Sequence, residues 1–258
     1  MGRHHGGPVK PLRVKASGTK VVVGYPRGGS ITGPFAESVQ RLIAHETVKG
    51  PSRLLHKVNS TAGLYVADNR MILTERFLDE SDADWLLQVD TDIEFPPTLL
   101  ETMVALAGHD RRILAASVPL GEAYPTGAFL RSAADGPGVF RCVNRVPETP
   151  IEVDGIATAV VLIHREVFEG IAERHGRCWW HHMYLAASPP ETPPREFKFI
   201  SQGEDLAFCA RAQEAGFRIW CAHVKGLGHY KTRRLTHDED PRFVVSDRQE
   251  IGELVAEG

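Results

Sequence analysis

Short apolar runs alternate with amphipathic stretches along the first half of the chain. Residues 20–25, KVVVGY, form a β-branched run that ends at Pro26 and two glycines, which predicts a strand followed by a loop. Residues 33–44 place Phe35, Val39 and Leu42 at helical spacing, so a helix follows. The alternation then continues with strands predicted at 54–58, 85–89 and 113–118 and helices at 66–80 and 96–107.

The run at residues 85–89, WLLQV, is nearly all apolar, as expected for a strand buried on both faces in a parallel sheet. Repeated strand–helix units favour right-handed crossovers between neighbouring parallel strands. We therefore predict an α/β fold with a mixed, mostly parallel central sheet flanked by helices.

The second half of the chain is less regular. Short β segments are predicted within 128–146, a strand at 157–164 and a helix at 165–173, whereas the proline-rich residues 179–199 are predicted to form a loop. A helix is predicted at 204–215, with Gly216 suited to the position just after its end. Residues 217–222 form the last predicted strand.

Charge is distributed unevenly over the 258 residues, although the net charge is only −3. We predict a basic arm at 1–19, a folded domain at 20–232 and an acidic tail at 233–258. No apolar run approaches the roughly 20 residues that a membrane span needs, and the N-terminus lacks the apolar core of a signal peptide. The four cysteines form no CxxC pair, so we expect reduced thiols and a cytoplasmic location, in the host cytoplasm if the chain is of phage origin.

An acidic pair directly follows the apolar strand, in the sequence WLLQVDTDIEF. Ligands of open α/β sheets bind beyond the carboxyl ends of the strands. Two carboxylates one residue apart, Asp90 and Asp92, repel each other unless a cation compensates them. Because Mg²⁺ and Mn²⁺ bind carboxylates together with substrate phosphates, the pair predicts a divalent metal site.

A second group of polar residues lies near the end of the chain. Glu204 and Asp205 begin a helix, where carboxylates also serve as structural caps. His229 lies in a glycine-bounded loop, GLGHYK, that can reach the acidic pair and supply a third metal ligand. Lys231, together with Arg233, can neutralise phosphate oxygens.

Four segments in order resemble the GT-A glycosyltransferases, especially the family 2-like group: VVVGYPRGG, ADNRMILTERFL, VDTDIEF, and GEDLAFCARAQEAGFRIW followed by His229. The segment GIATAVVLIHREVFE is also similar to that group. The resemblance covers about residues 20–232 and implies a single Rossmann-like GT-A domain. It further implies transfer of a sugar from a nucleotide-diphosphate donor, with a UDP-sugar favoured, to a hydroxyl acceptor.

The resemblance also implies roles for individual residues. Asp92 and His229 would bind Mn²⁺ or Mg²⁺, and Asp90 would contact the nucleotide or the metal. Asp205 takes the position of the catalytic base of inverting members, and Glu204 would orient the acceptor or the base.

Further donor contacts are expected from Tyr25 and Pro26 at the nucleotide base and from Arg70 and Lys231 near the diphosphate. Tyr25 suits a core position equally well, and Arg70 suits an ordinary helix surface. The absence of a QxxRW segment argues against synthesis of a polymer.

Trp179 and Trp180 are the predicted acceptor contacts, either stacking on a sugar or base or packing within a lid. The acceptor is expected to be a saccharide or a hydroxymethylated base in DNA. Three alternatives stay open: a nucleotidyltransferase using Arg27 in GYPRGGS, a nucleic-acid-binding protein using the basic arm and the tryptophans, and an inactive homologue.

Overall fold

The computed structural model describes residues 19–27, 31–48, 54–63, 65–121, 125–132, 139–186, 199–230 and 234–235. Its helices and strands, in chain order, are β1 (Val21–Arg27), α1 (Gly33–Val48), β2 (Leu55–Ala62), α2 (Val66–Glu80), β3 (Trp85–Val89), β4 (Ile93–Glu94), α3 (Leu99–Ala107), β5 (Ile113–Ala116), β6 (Ala128–Arg131), β7 (Phe140–Cys142), β8 (Ile151–Val153), β9 (Gly155–Ile156), β10 (Val160–His164), α4 (Arg165–His175), β11 (Met183–Ala186), β12 (Phe199–Gln202), α5 (Glu204–Glu214), β13 (Ile219–Ala222), β14 (Gly228–Tyr230) and β15 (Arg234–Leu235).

Seven strands form the central sheet in the order β2-β1-β3-β10-β5-β13-β8. Strands β2, β1, β3, β5 and β13 run in one direction, whereas β10 and β8 run antiparallel to their neighbours. The predicted mixed, mostly parallel sheet is therefore confirmed. Because β10 is reversed, its first residues lie beside the last residues of β3, at the same edge of the sheet.

Helices cover both faces of this sheet, and successive strand residues point to opposite faces. Val22 packs in one apolar cluster and Val21 and Val23 in the other. The cluster that contains Val22 includes buried residues of α2, α4 and α5, and the second cluster includes buried residues of α1 and α3. The predicted flanking of the sheet by helices is confirmed.

The tryptophans predicted to contact the acceptor belong to the core. Trp179 and Trp180 are both fully buried. The Trp180 ring stacks on Phe208 with centroids 4.3 Å apart, and its Nε1 donates to Thr74 Oγ1 at 2.9 Å. Trp179 Nε1 donates to the carbonyl of Phe168 at 2.8 Å. The acceptor prediction is wrong for both residues, because neither side chain has exposed surface and each N–H is bonded inside the protein.

Two predicted loops contain strands. Within residues 179–199, β11 pairs antiparallel with β12 and forms a two-stranded ribbon that leads into α5. His229, predicted in a loop, lies in β14, which pairs with β4 and β15. The predicted end of α5 is confirmed: Gly216 has a φ of 90°, its N–H donates to Gln213, and the Phe217 N–H donates to Ala212.

Most of the predicted arm at 1–19 and tail at 233–258 lies outside the described residues, so these boundaries stay predictions. Within the part of the chain that the structure describes, no helix is long and apolar enough to cross a membrane.

The burial of Trp180 predicts a role in stability. Replacing a buried aromatic side chain by alanine typically costs about 3–5 kcal/mol, so Trp180→Ala should lower the free energy of unfolding by that amount in urea denaturation. The matched control is Tyr184→Ala in the same segment, because Tyr184 is 70% exposed and its loss should cost no more than about 0.5 kcal/mol. Equal losses in the two variants would contradict the buried placement.

The cap of α4 predicts a loss of stability in mild acid. His164 Nδ1 accepts the Glu166 N–H at 3.3 Å, and burial, reinforced by Arg112 and Arg165, lowers the pKa of His164 from 6.5 to about 4. Between about pH 4 and pH 6.5, the His164 imidazole is therefore protonated in the unfolded chain and neutral in the folded protein. This contribution to stability is therefore complete above about pH 6.5 and falls by about 2 kcal/mol at pH 5.

The variant His164→Asn retains a capping side chain but cannot be protonated. Urea denaturation near pH 7.5 and at pH 5 should show a smaller acid-induced loss for this variant than for the unmodified protein. The same loss in both proteins would exclude His164 as its source.

Candidate active site

The acidic pair lies at the edge of the sheet where β3 ends. The Asp90 N–H donates to the Ala159 carbonyl at 2.8 Å, and the Asp90 carbonyl accepts from Ile93 at 3.2 Å, so a tight turn joins β3 to β4. The side chains of Asp90 and Asp92 remain 28% and 31% exposed. Both carboxylates are therefore accessible to a ligand from the open edge.

A buried arginine holds the first carboxylate. Arg70, on α2, is only 2% exposed, and its Nη2 lies 2.9 Å from Asp90 Oδ1. Its Nη1 donates to Gln88 Oε1 at 3.2 Å and to the Thr158 carbonyl at 3.0 Å. Arg70 is therefore not an ordinary helix-surface residue, because its guanidinium is directed at protein groups and above all at Asp90. Its contact with the nucleotide or diphosphate stays a prediction.

The charged side chains at this edge of the sheet shift one another's pKa values. Burial alone would lower the pKa of Arg70, but Asp90, Asp205 and Glu204 outweigh it and raise that pKa above its ordinary value. Although part of Asp90 is exposed, burial among protein atoms raises its pKa to about 6, with further contributions from Asp205 and Asp92 that Arg70 opposes. The site therefore carries more negative charge than one arginine neutralises.

The second carboxylate meets a histidine from the far end of the chain. His229 Nε2 lies 3.1 Å from Asp92 Oδ2. Strand pairing sets this contact, because β14 lies antiparallel to β4 with His229 opposite Ile93, and the Tyr230 N–H donates to the Asp92 carbonyl at 2.8 Å. The expected meeting of Asp92 and His229 is present.

The hydrogen bonds of His229 determine what its other nitrogen can do. Nδ1 lies 2.7 Å from the Pro119 carbonyl, and since a carbonyl oxygen only accepts, Nδ1 must carry a hydrogen. In the neutral ring, Nε2 then presents a lone pair to the Asp92 carboxylate. Two acceptors at this distance require a proton or a metal ion between or beside them. A backbone carbonyl that accepts from the other ring nitrogen in this way is typical of histidines that bind metals.

Asp90 stands apart from this pair. Among the described residues, the only three histidine, cysteine or acidic side chains with ligand atoms all within 4.8 Å of one another are His45, Glu46 and Glu101. The ligand atoms of Asp90, Asp92 and His229 are therefore not all within this distance of one another. The Asp90 carboxylate is instead paired with Arg70, at 2.9 Å. The structure pairs Asp92 with His229 as candidate metal ligands.

The first turn of α5 brings two more carboxylates to the same edge. Asp205 Oδ1 accepts a hydrogen bond from the Thr158 hydroxyl and lies 3.9 Å from Arg70 Nη2. Asp205 is 30% exposed and Glu204 is 17% exposed. Glu204 Oε2 also lies 3.5 Å from His182 Nε2. Both predicted catalytic residues therefore lie close to the Arg70–Asp90 pair.

The end of β1 adjoins the acidic turn. Tyr25 is half-buried and packs edge-to-face on Phe35 at 5.1 Å, while Pro26 is buried. Thr32, at the start of α1, donates to the Thr91 carbonyl from both its N–H and its hydroxyl, each at 3.1 Å. The nucleotide-base role of Tyr25 and Pro26 stays a prediction. Lys231, the other predicted donor contact, lies outside the described residues.

Two positioning residues escaped the sequence analysis. Thr158 bonds both Arg70 and Asp205, and Gln88 accepts from Arg70. Each is a polar residue in or beside an otherwise apolar strand, β3 for Gln88 and β10 for Thr158. A buried polar side chain in such a run needs a hydrogen-bond partner, and this was the available signal.

No protein-family model and no curated protein sequence matches the chain. Among solved structures, it is similar to A197 from STIV, with 17% identity, 83% of this chain and 86% of that chain covered, and a TM-score of 0.48. It is also similar to the catalytic domain of Drosophila β1,4-galactosyltransferase 7 in complex with xylobiose, at 12% identity, 93% and 80% coverage and a TM-score of 0.42.

A glycosyltransferase involved in glycosylation of the major capsid of PBCV-1 is similar at 10% identity, with 58% of this chain and 62% of that chain covered and a TM-score of 0.35. Glycosyltransferases are the class that the sequence motifs resemble. Every one of these TM-scores lies below 0.5, so function has to be argued from the residues of this chain.

Proposed function

We propose that this protein is a metal-dependent glycosyltransferase that moves a sugar from a nucleotide-diphosphate sugar, with UDP favoured, to a hydroxyl group. The observation that carries the proposal is the Asp92–His229 pair, whose imidazole Nε2 lies 3.1 Å from the carboxylate, at the same edge of the sheet as Asp205. Together they would supply a metal site and a base at one acidic edge of the sheet.

The donor side rests on Asp92 and His229. Ligands about 2.1 Å from an octahedral ion lie about 3 Å apart, so the observed separation suits two neighbouring positions on a Mn²⁺ or Mg²⁺ ion. An imidazole in the set favours Mn²⁺, since Mg²⁺ prefers oxygen ligands. A bound ion would leave positions for the diphosphate oxygens and stabilise the charge that develops on the leaving nucleoside diphosphate.

In this proposal Asp205 acts as the general base. The Thr158 hydroxyl fixes one of its oxygens, and Arg70 lies behind it. The carboxylate takes the proton of the acceptor hydroxyl while that oxygen bonds to the anomeric carbon. The bond from this carbon to the diphosphate oxygen breaks, and its electron pair leaves with the diphosphate. Attack from the face opposite the leaving group inverts the anomeric centre. Glu204, which directly precedes Asp205, orients the acceptor.

Loss of the Asp92 carboxylate should abolish metal-dependent donor binding. With Mn²⁺ and UDP at about 100 times the dissociation constant, ligand binding stabilises the folded protein by about 2.7 kcal/mol, which raises Tm by roughly 5–10 °C. Asp92→Asn should show no such Mn²⁺-dependent rise in a thermal-shift assay. The matched control, Asp79→Asn on the exposed surface of α2, should keep the full rise. A full rise in Asp92→Asn would remove Asp92 from the metal site.

Loss of the Asp205 charge should impair the reaction and not donor binding. Asp205→Asn retains an oxygen that can accept from Thr158 but cannot take a proton. We expect transfer from the UDP-sugar to slow by about 10²–10⁴-fold, while the Mn²⁺–UDP thermal shift stays as large as in the unmodified protein. Transfer at the normal rate would exclude Asp205 as the base.

A further inference from the structure

A two-stranded ribbon approaches the proposed base from the side of α5. In it, Tyr184 on β11 pairs with Ser201 on β12, and β12 continues through Gly203 into Glu204. His182, two residues before Tyr184, places its Nε2 3.5 Å from the Glu204 carboxylate. The ribbon is thus attached to the same helix turn that carries the proposed base.

One face of this ribbon end is open. Directly paired residues share a face, so Tyr184 and Ser201 lie on the same side. Both are exposed, with Tyr184 70% exposed, and so is His182 just before β11. A Cβ placed on Gly203 would meet no atom within 4 Å, which shows open space at the residue that joins β12 to α5.

Tyr184 differs from the neighbouring tryptophans in its exposure to solvent. Trp179 and Trp180, a few residues earlier, are fully buried and have their N–H groups bonded within the protein. Tyr184 instead is exposed, and strand pairing places it opposite Ser201, three residues before Glu204. Tyrosine combines an apolar ring with a polar end, which suits partners that have both apolar and hydroxyl-bearing surfaces.

The charge of the neighbouring side chains indicates which class of ligand could bind at this face. Glu204 and Asp205 begin the helix into which the ribbon leads, and Asp205 lies 3.9 Å from the buried Arg70, which also pairs with Asp90. Carboxylates accept hydrogen bonds from sugar hydroxyls, whereas they repel the phosphates of a nucleic acid. The face therefore favours a neutral, polyhydroxylated ligand over DNA.

We propose that Tyr184 is the stacking platform of the acceptor site and that the acceptor is a neutral saccharide, with His182 and Glu204 bonding its hydroxyls. This assignment rests on the proposed function and replaces the tryptophans as acceptor contacts. It places the acceptor on the ribbon side of Asp205 and the donor on the side of Asp92 and His229.

The test is acceptor binding by the full chain in the presence of UDP and Mn²⁺, measured by saturation-transfer NMR with xylobiose, cellobiose, maltose and a short single-stranded DNA. We expect binding of at least one disaccharide and none of the DNA. Tyr184→Ala should weaken disaccharide binding roughly tenfold, and Tyr184→Phe should largely restore it, because the ring supplies the stacking surface.

Tyr65→Ala is the matched control, since Tyr65 is also 70% exposed but lies at the start of α2, and it should leave disaccharide affinity unchanged. Undiminished disaccharide binding by Tyr184→Ala would overturn the inference. So would preferential binding of the DNA, or binding of none of the disaccharides by protein that binds UDP with Mn²⁺. Absence of Mn²⁺-dependent UDP binding would instead overturn the proposed function itself.

Discussion

The guanidinium of Arg70 is the charge on which the acidic edge of the sheet depends. It is fully enclosed, bonds Asp90, Gln88 and the Thr158 carbonyl, and lies 3.9 Å from Asp205. Without it, carboxylates from β3 and α5 would face one another uncompensated, and leaving one partner of a buried ion pair alone costs about 3–5 kcal/mol. Arg70 therefore allows the first turn of α5 to approach the end of β3.

Aromatic side chains of the core pack against the guanidinium of Arg70. Its guanidinium carbon lies 5.5 Å from the centre of the Trp180 ring, which in turn stacks on Phe208 of α5. Packing thus links the helix that carries Asp205 to the helix that carries Arg70. The buried Trp180 therefore helps to hold these charged residues in place.

The metal side of the site depends on a different constraint, the short pairing of β4 with β14. Their backbone hydrogen bonds bring His229 to Asp92 across 137 positions of sequence. Meanwhile the Pro119 carbonyl orients the ring and leaves Nε2 to face the carboxylate. In the proposed function the metal ion is held by this pair, whose carboxylate oxygen and imidazole nitrogen lie 3.1 Å apart.

The sequence by itself determined the α/β class, the alternation of strands and helices, the end of α5 at Gly216, and the expectation that Asp92, His229 and Asp205 lie at one edge of the sheet. These follow from local signals: apolar runs, helical spacing, a glycine suited to positive φ, and carboxylates at strand and helix ends. Only the tertiary structure decided what Arg70, Trp179 and Trp180 do. Burial depends on how distant segments pack against one another. The local sequence around these residues does not reveal whether their side chains face solvent or the core. The reversed strand β10, which delivers Thr158 to the site, and the β11–β12 ribbon, which presents Tyr184, likewise arise from pairings between segments that no local pattern specifies.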